Sequence, residues 1–247
     1  FDLNFTKSTM KNANKVSRSF QHMILLCGCL LIYYSVSARQ HKPTESGYIA
    51  QKTQGIDSDY VLIFNSYSES APWCRSLVDS TVMDLIKLSP QTMTVTQNLN
   101  SGLLRDEKAL AQLRQQVDVS YHDKPRMIIY IGSTSWPFLH ETIEKKWGKV
   151  PSIIFSDIDY TGPIANLLRK TPIAPALRIP YDKIVKEYEG ALSVVYMPIY
   201  LRQSLALMHQ LTPPMTELCF ISYTRWISAQ MRADMAAITK TDFPELK

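Results

Sequence analysis

The sequence predicts an α/β fold in which parallel sheets form two lobes, and three observations support this prediction. Short runs of β-branched and aromatic residues alternate with longer segments whose apolar residues recur at helical spacing, as in βαβ units. Of the 247 residues, 45% are apolar, which is enough for one large or two small hydrophobic cores. A proline-rich stretch then divides the alternating elements into two sets.

The first set occupies residues 59–164 and predicts a complete lobe. Each strand is followed by a helix, and this alternation favours right-handed crossovers and a parallel sheet. The expected strands are Tyr60–Asn65, Met93–Leu99, Met127–Ile131 and Ser152–Phe155. The expected helices between them are Ala71–Leu88, Glu107–Val117 and Pro137–Trp147.

Residues 165–190 contain Pro172, Pro175 and Pro180 and are predicted to be a crossover to a second lobe at 191–247. In that lobe the apolar runs predict strands at Leu192–Met197 and Glu217–Ser222 and helices at Leu201–Leu211 and Trp226–Ile238. Two βα units make a short sheet. We therefore expect the second lobe to be partial and the chain to be a fragment.

Residues 1–38 have the three regions of a secretory signal. A basic stretch precedes the uncharged run Met23–Tyr34, and Ser35–Ala38 supplies small residues at the cleavage positions. A cleaved signal and a retained membrane anchor both remain open, and acylation at Cys29 is a weaker alternative. In each case the positive flank stays inside, which predicts export to the periplasmic or extracytoplasmic side of a bacterial inner membrane. Residues 39–58 are polar and are predicted to be a tether between the membrane side and the fold.

Charge and cysteine content exclude several classes of protein. The net charge is +5, of which +3 comes from the first 21 residues, so the remaining body carries +2. Because the body has no basic stripe, we expect no nucleic-acid partner. Cys74 and Cys219 lie on separate predicted elements, so a disulfide is not the default. No metal-ligand spacing is present, and we expect neither a metal nor another cofactor.

Polar loops after the predicted strands are the candidate binding residues, because ligands of open α/β sheets lie beyond the carboxyl ends of strands. The first loop offers Ser66, Tyr67, Ser68 and Glu69, with Trp73 available for stacking on a ligand. A purely structural alternative is that Ser70 caps the following helix and that Trp73 packs on the sheet.

The loop after the third strand supplies Gly132, Ser133 and Thr134. Glycine lets a backbone approach a ligand closely, and the hydroxyls offer donors and acceptors. Capping of the next helix by Ser135 is an equally good interpretation. The loop is not a nucleophile elbow, because the Gly-x-Ser-x-Gly pattern lacks its second glycine.

Asp157 and Asp159 follow the fourth strand, with Tyr160 beside them. The segment Ser152–Thr161 resembles the first motif of haloacid-dehalogenase-type phosphatases, in which one aspartate attacks phosphorus and the aspartate two residues later is the acid and base. That motif normally opens its fold, whereas here three βα units precede it. The alternative is a polar loop in which these carboxylates cap local backbone.

Several stretches together resemble the extracytoplasmic sensor domain of bacterial membrane sensor histidine kinases. This domain is similar to the substrate-binding proteins of ABC transporters, with the type 1 periplasmic-binding fold of two lobes. The resemblance covers about 59–238, and its motifs are Asn65-Ser-Tyr-Ser-Glu-Ser-Ala-Pro-Trp73, Trp147-Gly-Lys-Val-Pro151, Asp159-Tyr-Thr-Gly-Pro163 and Val195-Tyr-Met-Pro198.

The resemblance implies a module that closes on a small molecule between its lobes and signals across the membrane. From the second lobe, Met197, Tyr200 and Tyr223 would face the first lobe, and Arg202 and Arg225 could pair with a ligand carboxylate. The expected partners are a small-molecule ligand, the membrane through the N-terminal segment and a second copy of the chain. No catalysis is expected in this fragment, whereas the full-length protein would be a histidine kinase. A transporter-type solute-binding protein is the alternative.

Overall fold

Five parallel strands form one open sheet in the part of the chain that the computed structural model describes, which is residues 60–69, 71–212 and 215–246. Their order in the sheet is β2-β1-β3-β4-β7. The strands are β1 (Tyr60–Asn65), β2 (Met93–Asn98), β3 (Met127–Ile131), β4 (Ser152–Ser156) and β7 (Leu192–Tyr196). The predicted α/β class and the parallel sheet are therefore confirmed.

Seven helices connect or flank these strands in the described chain. They are α1 (Pro72–Leu88), α2 (Glu107–Ser120), α3 (Ser135–Trp147), α4 (Ile164–Arg169), α5 (Tyr181–Glu187), α6 (Leu201–Leu211) and α7 (Trp226–Asp242). A two-stranded antiparallel pair, β5 (Tyr160–Thr161) with β6 (Ile179–Pro180), lies in the connection between β4 and β7. The stretch 165–190 thus connects two neighbouring strands of one sheet.

The sheet is buried on both faces around β1, which explains why this strand reads as a continuous apolar run. Tyr60, Leu62 and Phe64 pack into the larger cluster, which includes residues of α2 and α3, while Val61 and Ile63 point the other way, toward α1. This alternation follows from the two-residue period of a strand. The central strand is therefore fixed in register from both sides.

Two predictions for the later part of the chain differ from the structure. The strand predicted at Leu192–Met197 forms as β7, but it joins the sheet of the first set rather than a separate lobe, pairing in parallel with β4 from Ser152 opposite Leu192 to Ser156 opposite Tyr196. Pairing there satisfies the backbone groups that β4 would otherwise leave unpaired. Glu217–Ser222 is predicted as a strand and forms none, and its Ile221 is 90% exposed. An apolar run alone does not make a strand, because strand preference depends on the packing that the tertiary context supplies.

The predictions for the N-terminal segment lie outside the described residues. These are the signal or anchor at 1–38, the acylation at Cys29 and the tether at 39–58. Within the described ranges, the helices are all too short or too polar to cross a membrane. Cys74 is buried and Cys219 exposed, and both are free thiols.

Candidate ligand-binding site

The carboxyl ends of four strands bring polar loops together at one edge of the sheet. Ser66–Ser68 follows β1, Asn100–Leu103 follows β2, Gly132–Thr134 follows β3 and Asp157 follows β4. The chain passes from β1 to β2 on one side and continues with β3 on the other, so the switch in strand order lies between β1 and β3. Ligands of open α/β sheets bind at such a switch.

Protein atoms fill the crevice directly between β1 and β3. Gly132 has a φ of +88°, and a Cβ at this position would lie 2.6 Å from Tyr67 Cε2 and 2.8 Å from Ser66 Oγ. Ser66 and Ser133 are fully or almost fully buried, with exposed fractions of 0% and 2%. The close approach that the glycine permits is therefore an approach to its own chain rather than an opening to solvent.

A buried hydrogen-bond network joins the loops after β1, β2 and β3. Ser66 Oγ accepts a hydrogen bond from the Ser135 backbone N–H at 2.8 Å, and the Ser66 carbonyl accepts one from the Ser101 N–H at 2.8 Å. Thr134 Oγ1 donates to Ser101 Oγ, also at 2.8 Å. Ser66, rather than Ser135, thus satisfies a free N–H at the start of α3. The Ser135 hydroxyl instead donates back to the carbonyl of Gly132.

Replacing Ser66 by alanine should destabilise the fold. The change leaves the buried Ser135 N–H without its acceptor, which costs about 1 to 2 kcal/mol. Urea unfolding followed by circular dichroism measures this loss. Ser133→Ala is the matched control, because Ser133 is equally buried but its side chain has no hydrogen bond among the described residues. Equal stability losses in the two variants would contradict the capping role of Ser66.

An open cleft of about 280 Å³ lies beside the closed crevice. It contains a tyrosine and a serine from the first loop, three residues after β2 and three that precede α7. These lining residues are Tyr67, Ser68, Asn100, Gly102, Leu103, Tyr223, Thr224 and Arg225. The site thus combines the ends of β1 and β2 with the start of α7.

Tyr67 separates the cleft from a half-buried carboxyl group, that of Asp157. Its hydroxyl donates a hydrogen bond to Asp157 Oδ2 at 2.9 Å, and its ring is almost fully buried. Burial raises the pKa of Asp157 above the ordinary 3.8, although the Tyr67 hydrogen bond and the Arg225 charge oppose this shift. The pKa of Tyr67 is raised well above 10, mainly by burial and to a smaller extent by the nearby Asp157 charge. The phenol therefore stays a neutral hydrogen-bond donor.

The raised pKa of Asp157 predicts a specific pH dependence of stability. The folded state binds the Asp157 proton more tightly than the unfolded state does. The resulting stabilisation is fully present below the pKa of Asp157 in the unfolded state, and it is lost as the pH rises through the pKa of Asp157 in the folded state. Asp157→Asn removes this titration and retains an oxygen that can accept from Tyr67. We expect the wild-type free energy of unfolding to fall relative to the variant as pH rises from about 3. Parallel pH curves from urea unfolding would contradict this assignment.

Arg225 forms the charged wall of the cleft. It is the N-cap of α7, and its guanidinium carbon lies 4.7 Å from the ring centre of Tyr67 and 5.6 Å from that of Tyr223. The burial of Trp226 and Gln230 in the first turns of α7 holds this residue in place. Cation–π contact of this kind also restricts the rotamers of a long side chain.

Of the residues predicted from the sequence, Tyr67, Ser68 and Tyr223 line the cleft, while Ser66, Gly132, Ser133, Thr134 and Asp157 lie beneath or beside it. The lining does not include Glu69, Asp159, Tyr160, Met197 or Tyr200.

These five residues have other surroundings. Glu69, Asp159 and Tyr200 are exposed, Tyr160 is buried beneath the guanidinium of Arg178, and the Met197 N–H donates to the Ser156 carbonyl. The side chain of Trp73, like Ser70, lies outside what the structure describes. Arg202 forms an ion pair with Asp242.

Sequence reasoning missed the contribution of the loop after β2. Asn100 has a positive φ of 49°, and with Gly102 and Leu103 it forms one side of the cleft. The signal was available, because Asn98-Leu-Asn-Ser-Gly102 is a polar loop at the end of a predicted strand. The same rule that selected the loops after β1 and β3 applies to it.

Comparison of the sequence with protein-family models and with curated proteins finds no match in either case. In the described ranges no group of three or more His, Cys, Asp or Glu side chains is placed to hold a metal ion. The chemistry that the arrangement supports is therefore read from the cleft itself, which offers a cation, two aromatic rings, hydroxyls and a side-chain amide.

Proposed function

We propose that this chain binds a small molecule in the cleft beside Tyr67 and Arg225 as the extracytoplasmic sensing part of a two-component sensor histidine kinase. The observation that carries the binding proposal is the cleft at the carboxyl edge of the sheet, where Arg225 lies over Tyr67. Clefts at this edge are the usual ligand sites of open α/β sheets. The kinase context rests on the family resemblance of the sequence motifs.

The two-lobed, type 1 periplasmic-binding architecture belongs to this proposal. In it, the five-stranded sheet is the first lobe, and a second lobe would close on the ligand from the side of the cleft where Tyr223 and Thr224 lie. Attachment to the membrane through the N-terminal segment, extracytoplasmic location and self-association are parts of the same proposal. A transporter-type solute-binding protein would use the same cleft.

Thermal-shift screening of the 247-residue chain against a library of small metabolites tests the binding proposal. A compound that binds only the folded state raises the melting temperature by mass action. A matched variant, Tyr223→Ala, removes an exposed cleft residue with little cost to the core and should abolish the shift for a true cleft ligand. A library without any stabilising compound would overturn the proposal.

Sequencing past Lys247 distinguishes the two settings. A second apolar span followed by a His-containing kinase segment supports the receptor, whereas a stop soon after a second lobe supports the transporter component.

The phosphatase alternative has its own test in Mg²⁺-dependent hydrolysis of a chromogenic phosphate ester, lost in Asp157→Asn. The hydrogen bond from Tyr67 to Asp157 does not favour this role, because it occupies a carboxylate oxygen and a nucleophilic carboxylate must reach its substrate.

A further inference from the structure

The chemistry of the cleft lining points to a ligand class, and this inference rests on the proposed function. Among the eight residues that line the cleft, Arg225 is the one that carries a charge. Tyr67 stays neutral because its hydroxyl is held by Asp157 and its ring is buried. The lining residues therefore carry a net positive charge, and the nearby Asp157 carboxyl lies behind the Tyr67 ring rather than in the lining.

Arg225 differs from the other partly buried arginines of the described chain. Arg114 and Arg178 each form an ion pair with a carboxylate, as does the exposed Arg202. The guanidinium of Arg225 lies near two tyrosine rings and, among the described residues, has no carboxylate at ion-pair distance. The nearby acid, Asp157, is turned to the Tyr67 hydroxyl. Among the described residues, the N–H edge of the guanidinium therefore has no carboxylate within ion-pair distance, although its charge is felt by Asp157.

We propose that the cleft binds a small organic carboxylate, with the carboxylate held by Arg225. The tyrosine rings already hold the planar guanidinium of Arg225 in place. Its paired N–H groups are therefore preorganised to bind the two oxygens of a carboxylate. Tyr223 and Leu103 provide apolar surface for the body of the ligand, and Thr224 and Asn100 provide polar groups. The volume of about 280 Å³ suits a compound of the size of an aromatic acid or an amino acid.

The start of α7 reinforces this preference for an anion. The helix is 17 residues long, its first residue follows Arg225 directly, and the Arg225 side chain makes no capping hydrogen bond to its first turn. The partial positive charge at a helix N-terminus favours a negative group nearby. This effect is secondary to the Arg225 charge, because it is screened by solvent in an open cleft.

Calorimetric titration of the 247-residue chain tests the inference with pairs of compounds that differ only in charge. The panel contains aromatic, aliphatic and amino-acid carboxylates, starting with benzoate and phenylacetate, and each is titrated beside its primary amide and beside inorganic phosphate. We expect at least one acid to bind at least tenfold more tightly than its amide. Arg225→Lys keeps the positive charge but loses the planar, two-pronged guanidinium. We expect it to lower the affinity for that acid about tenfold, which equals about 1.4 kcal/mol.

Arg232→Ala is the control, because it removes an exposed charge on the same helix away from the cleft and should leave the affinity unchanged. Circular dichroism verifies that each variant is folded. If Arg225→Lys does not fold, the affinities of each acid and its amide for the wild-type chain still decide whether the cleft prefers a carboxylate.

The outcomes separate this inference from the proposed function. Neutral compounds that bind in a Tyr223-dependent manner, with no carboxylate preferred, would overturn the carboxylate assignment and leave small-molecule sensing intact. Phosphate binding that displaces or exceeds every carboxylate would likewise overturn it. The failure of every compound, charged or neutral, would overturn both proposals.

Discussion

Replacing Gly132 by alanine is expected to lower the free energy of unfolding by about 3 to 4 kcal/mol. Part of this loss, about 1 kcal/mol, comes from the positive φ of +88°, which side chains other than glycine rarely adopt. The larger part comes from overpacking, because the new Cβ would lie 2.6 Å from the Tyr67 ring and 2.8 Å from the Ser66 side chain. Urea unfolding monitored by circular dichroism measures the change.

Gly190→Ala separates the two causes. Gly190 has a similar φ of +85°, but nothing lies within 4 Å of the position its Cβ would take. We therefore expect this control to lose about 1 kcal/mol, the backbone cost alone. Equal losses in the two glycine variants would show that the contact with Tyr67 and Ser66 relaxes freely.

The Gly132 variant should also disturb the cleft. Relief of the clash requires Tyr67 to move, and this ring both lines the cleft and holds Asp157 through its hydroxyl. A ligand identified by thermal shift should consequently bind Gly132→Ala more weakly than Gly190→Ala, measured under conditions in which both variants are folded.

The first half of the fold was accessible from the sequence because its signals are local. The bounds of β1 and β3 are those predicted, since each is a short apolar run between polar residues. Helix α3 begins at Ser135, two residues before the predicted Pro137. The cause is not local, because the N–H of Ser135 is satisfied by Ser66, which lies 69 residues earlier in the chain.

Sheet membership and the position of the cleft depend on tertiary contacts that no window of sequence contains. β7 has the sequence of a strand in either lobe, and only the free edge of β4 decides which sheet it joins. Similarly, the sequence predicts that the hydroxyls of Ser66 and Ser133 bind a ligand. In the structure, the close approach of Gly132 to Tyr67 leaves both serines buried. Tyr223 was predicted to face the cleft through a strand, and it lines the cleft from a loop instead.

Gln230→Ala is expected to lower the free energy of unfolding by about 2 to 3 kcal/mol, because Gln230 is the buried polar link between α7 and the rest of the fold. Its side chain is 1% exposed, and Oε1 accepts the N–H of Ile173 at 2.8 Å. Its Nε2 donates to Asp234, which also pairs with Arg178. Truncation leaves the Ile173 N–H buried without an acceptor and opens a cavity beside it.

The same substitution tests how the cleft is held together, since α7 carries Arg225 at its N-cap. A helix that is less firmly docked positions the guanidinium less well over Tyr67, so a ligand bound through Arg225 should dissociate faster from the Gln230 variant. Gln203→Ala on α6 is the matched control, because that glutamine is exposed, and both its stability and its affinity should stay at the wild-type values. A Gln230 variant that is destabilised but binds with unchanged affinity would show that the contact with Tyr67 alone positions Arg225.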